Sequence, residues 1–223
     1  CFAQTVANKT DAIGKKQGLW EEKTPAGLSK GAYMNDLKDG CWTTHSTDGK
    51  LLRIDHFNKG KRDGIAVEID QRGYLAGETY YSNDLVEGTA KRFFYGTQPA
   101  SLIDYVQGKI NGKKKIYYEN SAGKIQEDSE YKDDMKNGVS TYFTINGDPV
   151  AEYLYVNNML QGVQKTYYPG RKIMSEQVFK DNQENGFSRE YYENGKLKSE
   201  GVYVKGLLNG MWKEYNEEGN LAI

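Results

Sequence analysis

Nine glycines fall in near-register along this chain: Gly18, Gly40, Gly64, Gly88, Gly112, Gly138, Gly162, Gly186 and Gly210. Successive spacings are 22, 24, 24, 24, 26, 24, 24 and 24 residues. A period of this length marks a repeat architecture, in which chain length counts units rather than domains. A second glycine follows each of the nine, at Gly27, Gly49, Gly73, Gly96, Gly123, Gly147, Gly170, Gly195 and Gly219. All four prolines, Pro25, Pro99, Pro149 and Pro169, stand beside this second signal. Proline donates nothing to a strand ladder, so these segments read as loops. Asn-Gly pairs begin at Asn111, Asn137, Asn146, Asn185, Asn194 and Asn209, always at one of the two glycine positions. Both residues tolerate positive φ, which makes the pair a strong hairpin signal.

A third register is aromatic. Seven residues before each later glycine stands Tyr33, Phe57, Tyr81, Tyr105, Tyr131, Tyr155, Phe179 or Tyr203. The unit is therefore read as strand, tight turn at the first glycine, strand, and turn at the second. With Asn194-Gly195 at a hairpin tip, antiparallel counting puts Tyr203 opposite Gly186. The same count pairs Phe57 with Gly40, Tyr81 with Gly64, and Tyr155 with Gly138. A ring lying over bare glycine backbone would explain why the two registers are locked, and would make most tyrosines structural.

Strand interiors agree with this unit. Aromatic pairs recur at Phe93-Phe94, Tyr117-Tyr118, Tyr142-Phe143, Tyr167-Tyr168 and Tyr191-Tyr192, with polar residues in rough alternation between. Trp20, Trp42 and Trp212 each follow their glycine by two residues. No segment carries a helical period. The fold class expected is all-β: tandem β-hairpin repeats forming one elongated, twisted antiparallel meander sheet. Residues 14–223 hold about nine repeats, with Gly40, Gly64, Gly88, Gly112, Gly138, Gly162, Gly186 and Gly210 as their defining structural positions. Residues 1–13 form a separate N-terminal segment.

The eighth unit carries a family resemblance. Tyr191-Tyr192-Glu193-Asn194-Gly195-Lys196-Leu197-Lys198-Ser199-Glu200, then Asn209-Gly210-Met211-Trp212, resembles the bacterial variant of the MORN repeat (membrane occupation and recognition nexus). The pattern recurs at 117–127 and 167–176 and is degenerate but recognisable from Gly18 onward. The resemblance implies stacked β-hairpins in one elongated antiparallel sheet. Such proteins are often labelled antitoxins, many are exported, and related repeats are linked to lipid or protein binding.

Charge and cysteine usage narrow the function. Thirty basic and 31 acidic residues give a net charge of -1, without the basic excess that nucleic acid demands. Cys1 and Cys41 make neither a disulfide framework nor a zinc pattern. Cys1-Phe2-Ala3-Gln4 reads either as the tail of an export signal or as a lipoprotein start, with Cys1 as the lipid anchor and peripheral membrane association through it. Export to the periplasm, outer membrane or cell surface is expected, the cytoplasm being the alternative.

Chemistry is sparse. The histidines are His45 and His56. The counted register sets Cys41 opposite His56, but no third orienting residue can be named for a nucleophilic dyad. Neither metal nor cofactor is expected. Asp133-Asp134 and Glu217-Glu218 read as solvated turn charge. Lys113-Lys114-Lys115 and the run 59–62 read as solvated strand faces. The chain is expected to be a non-enzymatic interaction or scaffold protein of the bacterial envelope. It would bind an unknown protein partner through a sheet face or edge, with Tyr117, Tyr142, Tyr167 and Tyr191 as the contact surface. A cytoplasmic antitoxin-like partner of a toxin, and a lipid or glycan surface-binding module, are the alternatives. Oligomeric state is left open.

Overall fold

The computed structural model describes residues 8–222; Cys1 and the other residues of 1–7, and residue 223, lie outside it. The chain divides after Lys109 into two compact units. Each is an open antiparallel meander. The first runs through strands Lys16–Thr24, Gly27–Met34, Leu37–His45, Leu51–Asn58, Gly64–Ile69, Leu75–Ser82, Gly88–Phe93 and Pro99–Val106. The second runs through Lys109–Tyr117, Ile125–Lys132, Met135–Phe143, Pro149–Val156, Gly162–Tyr167, Ile173–Lys180, Gln183–Tyr191, Leu197–Val204 and Lys213–Glu214. The single helical turn among the described residues is Tyr95–Thr97. The all-β hairpin-repeat expectation is thus met in both units. Lys9–Thr10 adds a short strand against Lys16 and Gln17.

Two kinds of hairpin alternate. At the second glycine of the sequence pattern, Gly49 N–H donates to the Ser46 carbonyl at 3.0 Å, and Gly195 N–H to the Tyr192 carbonyl at 2.8 Å. These are the loops that were expected, with Asn194-Gly195 in a tip. The other hairpin corrects the expectation. Its turns are pairs with positive φ at both residues: Asn35-Asp36 (53° and 68°), Asp133-Asp134 (50° and 68°), Asn157-Asn158 (50° and 66°) and Asp181-Asn182 (52° and 66°). That is the type I′ geometry whose twist suits a two-residue β-turn. Each pair lies five and four residues before a repeat glycine, so the first glycine is not a turn at all.

At Gly40, Gly138 and Gly186 the first glycine instead sits in a bulge inside a strand, and Gly64, Gly88 and Gly162 open the strand that resumes after an insertion of the same size. Ser129 pairs with Ser140, yet Tyr131 pairs with Lys136, so Glu130 faces the three residues 137–139. Val178 likewise faces 185–187. Two inserted residues preserve the alternation of side chains, so each strand face carries through the bulge. Gly138 and Gly186 meet this demand with φ of 122° and 141°. Such backbone strains any residue with a Cβ. Positive φ therefore explains the Asn-Gly pairs at both sites; local sequence does not separate turn from bulge.

The counted cross-strand pairs are all present: Tyr203 with Gly186, Phe57 with Gly40, Tyr81 with Gly64, and Tyr155 with Gly138. The reason offered for them is not. A Cβ added at Gly40 would meet nothing within 4 Å, at Gly64 only His56, and at Gly162 only Leu154. The facing ring does not occupy that space; backbone conformation sets the glycine. Rings cover other glycines. A Cβ on Gly31 would run into the Trp42 indole, and one on Gly201 would lie 2.5 Å from Trp212 Cε3.

Both units bury a row of mostly small or polar residues, Ser29, Asp55, Ala66 and Thr79 in the first, and the first unit adds aromatic rings to it. In the first, Trp20, Tyr33, Trp42 and Phe57 meet edge to face with centroids 5.7, 5.1 and 6.3 Å apart. Each such contact contributes about 0.5–1.5 kcal/mol beyond burial. Trp42 is 2% exposed, and its Nε1–H donates to the Ala32 carbonyl at 3.0 Å. In the second, the buried row is small or amide: Ser129, Ser140, Ala151, Gln164, Ser188 and Ser199. Larger neighbours lean over it. Lys136 Nζ donates to the Tyr142 hydroxyl at 2.6 Å and to Glu127 at 3.2 Å, and lies 5.3 Å from the Tyr155 ring centre.

Candidate functional site

Strand alternation sends the other side chains of the second unit to the opposite face. Register pairs Glu152 with Lys165, Lys165 with Glu176, Glu176 with Arg189, Arg189 with Glu200, and Glu200 with Lys213. Six strands thereby carry one row of alternating charge, here called the ladder. Lys165 Nζ lies 3.7 Å from Glu176, and Arg189 Nε 3.3 Å from Glu200. Cross-strand pairs of this kind add roughly 0.2–1 kcal/mol each.

An apolar row runs beside the ladder. It holds Val139 opposite Leu154, Val163 opposite Val178, and Phe187 opposite Val202. Met211 continues it: Phe187, Arg189, Glu200, Val202, Met211 and Lys213 line one shallow depression of about 160 Å³. Val163 is 38%, Val202 46% and Met211 80% exposed, so the row is open to contact.

Tyrosines border the other side of the ladder and are latched to it. The Tyr167 hydroxyl donates to Glu152 at 2.5 Å, Tyr191 to Glu176 at 3.0 Å, and Tyr215 to Glu200 at 3.3 Å. Each bond spans 15 residues back along the chain. Burial, then the hydrogen bond to its glutamate, pushes the Tyr167 phenol above its ordinary range; the same causes raise Tyr191. Both therefore stay neutral donors, and each hydroxyl is tied to its glutamate. The second tyrosine of each pair is a strut between repeats. Tyr118, Tyr168 and Tyr192 donate to the carbonyls of Phe143, Tyr191 and Tyr215 at 2.7, 3.0 and 2.8 Å.

The four tyrosines expected to form one surface divide. Tyr167 and Tyr191 are on the ladder face, as is Tyr117, whose phenol is raised by burial and by the nearby Asp128 charge. Tyr142 is on the other face, against Lys136 and 5.9 Å from the Tyr153 ring. It follows its repeat glycine by four residues where the others follow by five, and Phe143 holds the equivalent place. The ladder itself escaped sequence reading. Its signal was there: Glu152, Glu176 and Glu200 repeat at 24 residues, as do Lys165, Arg189 and Lys213.

Other candidates lie in the first unit. Cys41 and His56 are cross-strand partners as counted, and Cys41 is exposed. His56 Nδ1 is 2.8 Å from the Ile65 carbonyl, which can only accept, so that nitrogen carries the proton. An open groove of about 570 Å³ is lined by Lys23, Leu28, Lys30 and His45 among others. Lys30 there is committed to Glu21 at 3.1 Å. Among the described residues, no three His, Cys, Asp or Glu side chains are placed to share a metal ion.

Bulged hairpins in series, each stapled to the last, define a tandem β-hairpin repeat protein. Residues 185–205 match the family described as MORN repeat variant. That stretch spans the bulge at Gly186 and the tip at Asn194-Gly195, features that recur through both units, and the chain is a MORN-variant repeat protein. No curated protein matches the chain.

Proposed function

We propose that the chain is a non-enzymatic interaction protein whose second unit engages a protein partner through the ladder face. The observation that carries this reading is the open apolar row, Val163, Val202 and Met211, set along a rigid row of charge. An apolar strip rimmed by ordered polar groups is the composition of a contact surface. The latched tyrosines lower the entropy lost on binding, because their rings are already held. Toxin masking and binding of a lipid or glycan would use the same face and differ in what is captured.

The test places a photo-crosslinking residue at Val163, Val202 or Leu160 in cells of the native host. Leu160, beside Tyr155 on the small-residue face, is the control. A discrete protein adduct from Val163 and Val202, and none from Leu160, is expected. Equal labelling from all three positions, or adducts from Leu160 alone, overturns the reading.

A further inference from the structure

Among the described residues the unbroken alternation of the ladder has an even number of members: Glu152, Lys165, Glu176, Arg189, Glu200 and Lys213. Beyond Glu152 the row passes through neutral Thr141, which interrupts the alternation before Asp128 and Lys115. An even alternating row, reversed end for end, shows the opposite charge at every position. Two copies can therefore meet face to face about a two-fold axis that reverses the row. That axis runs parallel to the strands, between Ile173–Lys180 and Gln183–Tyr191.

The pairing follows from counting strands outward from this axis. Glu176 comes over Arg189 of the second copy, Lys165 over its Glu200, and Glu152 over its Lys213. The rotation leaves position along the strands unchanged, so apolar meets apolar: Val178 over Phe187 and Val163 over Val202. A half-turn about the direction of the ladder itself would instead bring Glu onto Glu and the apolar row onto the tyrosines. Like charges in contact cost several kcal/mol, so electrostatics select the first axis.

We infer that the ladder face pairs with the same face of a second copy of this chain about that axis. The inference rests on the ladder face being the contact surface and names its occupant. Internal ion pairing does not exhaust the row, since the Lys165 and Arg189 side chains remain 37% and 41% exposed. Six strands at about 4.8 Å and about six residues at about 3.3 Å give roughly 570 Å² per copy. The total of roughly 1,100 Å² is at the low end for a specific interface. The pair is accordingly reversible and salt-sensitive. Sheets packed face to face diverge by about 30°, so the central Glu176–Arg189 contacts, made twice by symmetry, hold best.

Sedimentation equilibrium of the full chain over a concentration series tests this. A monomer–dimer equilibrium that weakens with salt is expected. A cation-row variant (Glu152→Lys, Glu176→Lys, Glu200→Lys) and an anion-row variant (Lys165→Glu, Arg189→Glu, Lys213→Glu) should each be monomeric alone and dimerise when mixed. Like charges across strands could unfold either variant, so Val202→Asp serves beside them. It leaves the ladder intact and should lose the dimer without change in melting. A wild type that stays monomeric up to about millimolar, weaker than any useful affinity, overturns the self-pairing. So does a Val202→Asp chain that dimerises like wild type. Crosslinks from Val163 to a different protein would survive either result, so the two readings fail separately.

Discussion

Asp134 Oδ1 accepts the backbone N–H of Ile110 at 2.8 Å, while the Asp134 N–H donates to the Ile110 carbonyl at 2.9 Å. One residue of a turn thus closes a two-bond staple onto the preceding repeat. Asn158 does the same to Lys136, at 2.7 and 2.9 Å, and Asn182 to Leu160, at 2.7 and 3.2 Å. Turn acids such as Asp134 are therefore not merely solvated charge, as their sequence setting suggested. Asp134→Ala removes the side-chain bond and puts alanine at φ 68°. A loss of about 1–2 kcal/mol is expected in urea denaturation, with faster hydrogen exchange at the Ile110 amide. Asp134→Asn, which keeps the acceptor, should retain most of both.

Gly186, in a crowded bulge, should be costlier to replace than Gly195 at a tip. A Cβ on Gly186 would come within 2.7 Å of Val178 Cβ, on top of φ 141°. Gly195, at φ 86°, has nothing within 4 Å. Gly195→Ala should cost about 1 kcal/mol from backbone strain, and Gly186→Ala about 1–3 kcal/mol more from overpacking. Equal midpoints for the two variants in chemical denaturation would contradict the bulge assignment.

Gly31 gives a third test, with no positive φ involved. Its added methyl would strike the Trp42 ring. Gly31→Ala should destabilise the first unit by about 1–3 kcal/mol and shift the tryptophan fluorescence. Gly31→Ala with unaltered emission and stability would remove Trp42 from its place over this strand.

Glu127 should make part of the stability acid-labile. Burial acts to raise its carboxyl, but hydrogen bonds from Ser129 and Lys136, with the Lys136 charge, outweigh burial and hold it below the ordinary value. A carboxyl depressed on folding contributes stability that is complete above its unfolded value. That stability is lost as pH falls through the folded value. The loss therefore begins near the ordinary glutamate range, about pH 4.3, and proceeds below it. Glu127→Gln should flatten the melting temperature across this window and lower it at neutral pH. An unchanged acid profile in that variant would show the carboxylate is not coupled to folding.

The sequence by itself determined the period, the all-β class and the cross-strand pairing of aromatic with glycine. Those depend on local properties: tolerance of positive φ, exclusion of proline from ladders, and strand alternation. Counting from Asn194-Gly195 was enough to place Tyr203 opposite Gly186. Only the tertiary structure decided which positive-φ site is a turn and which a bulge, because Gly138 and Gly195 have the same preference. The candidate surface was legible in part for the same reason. Tyr117, Tyr167 and Tyr191 were found by type, but side-chain direction in a strand has period two. A one-residue offset after Gly138 therefore sends Tyr142 through the sheet to Lys136. The ladder became visible only when register brought Glu176 beside Arg189, since charge on one strand does not reveal what stands across from it.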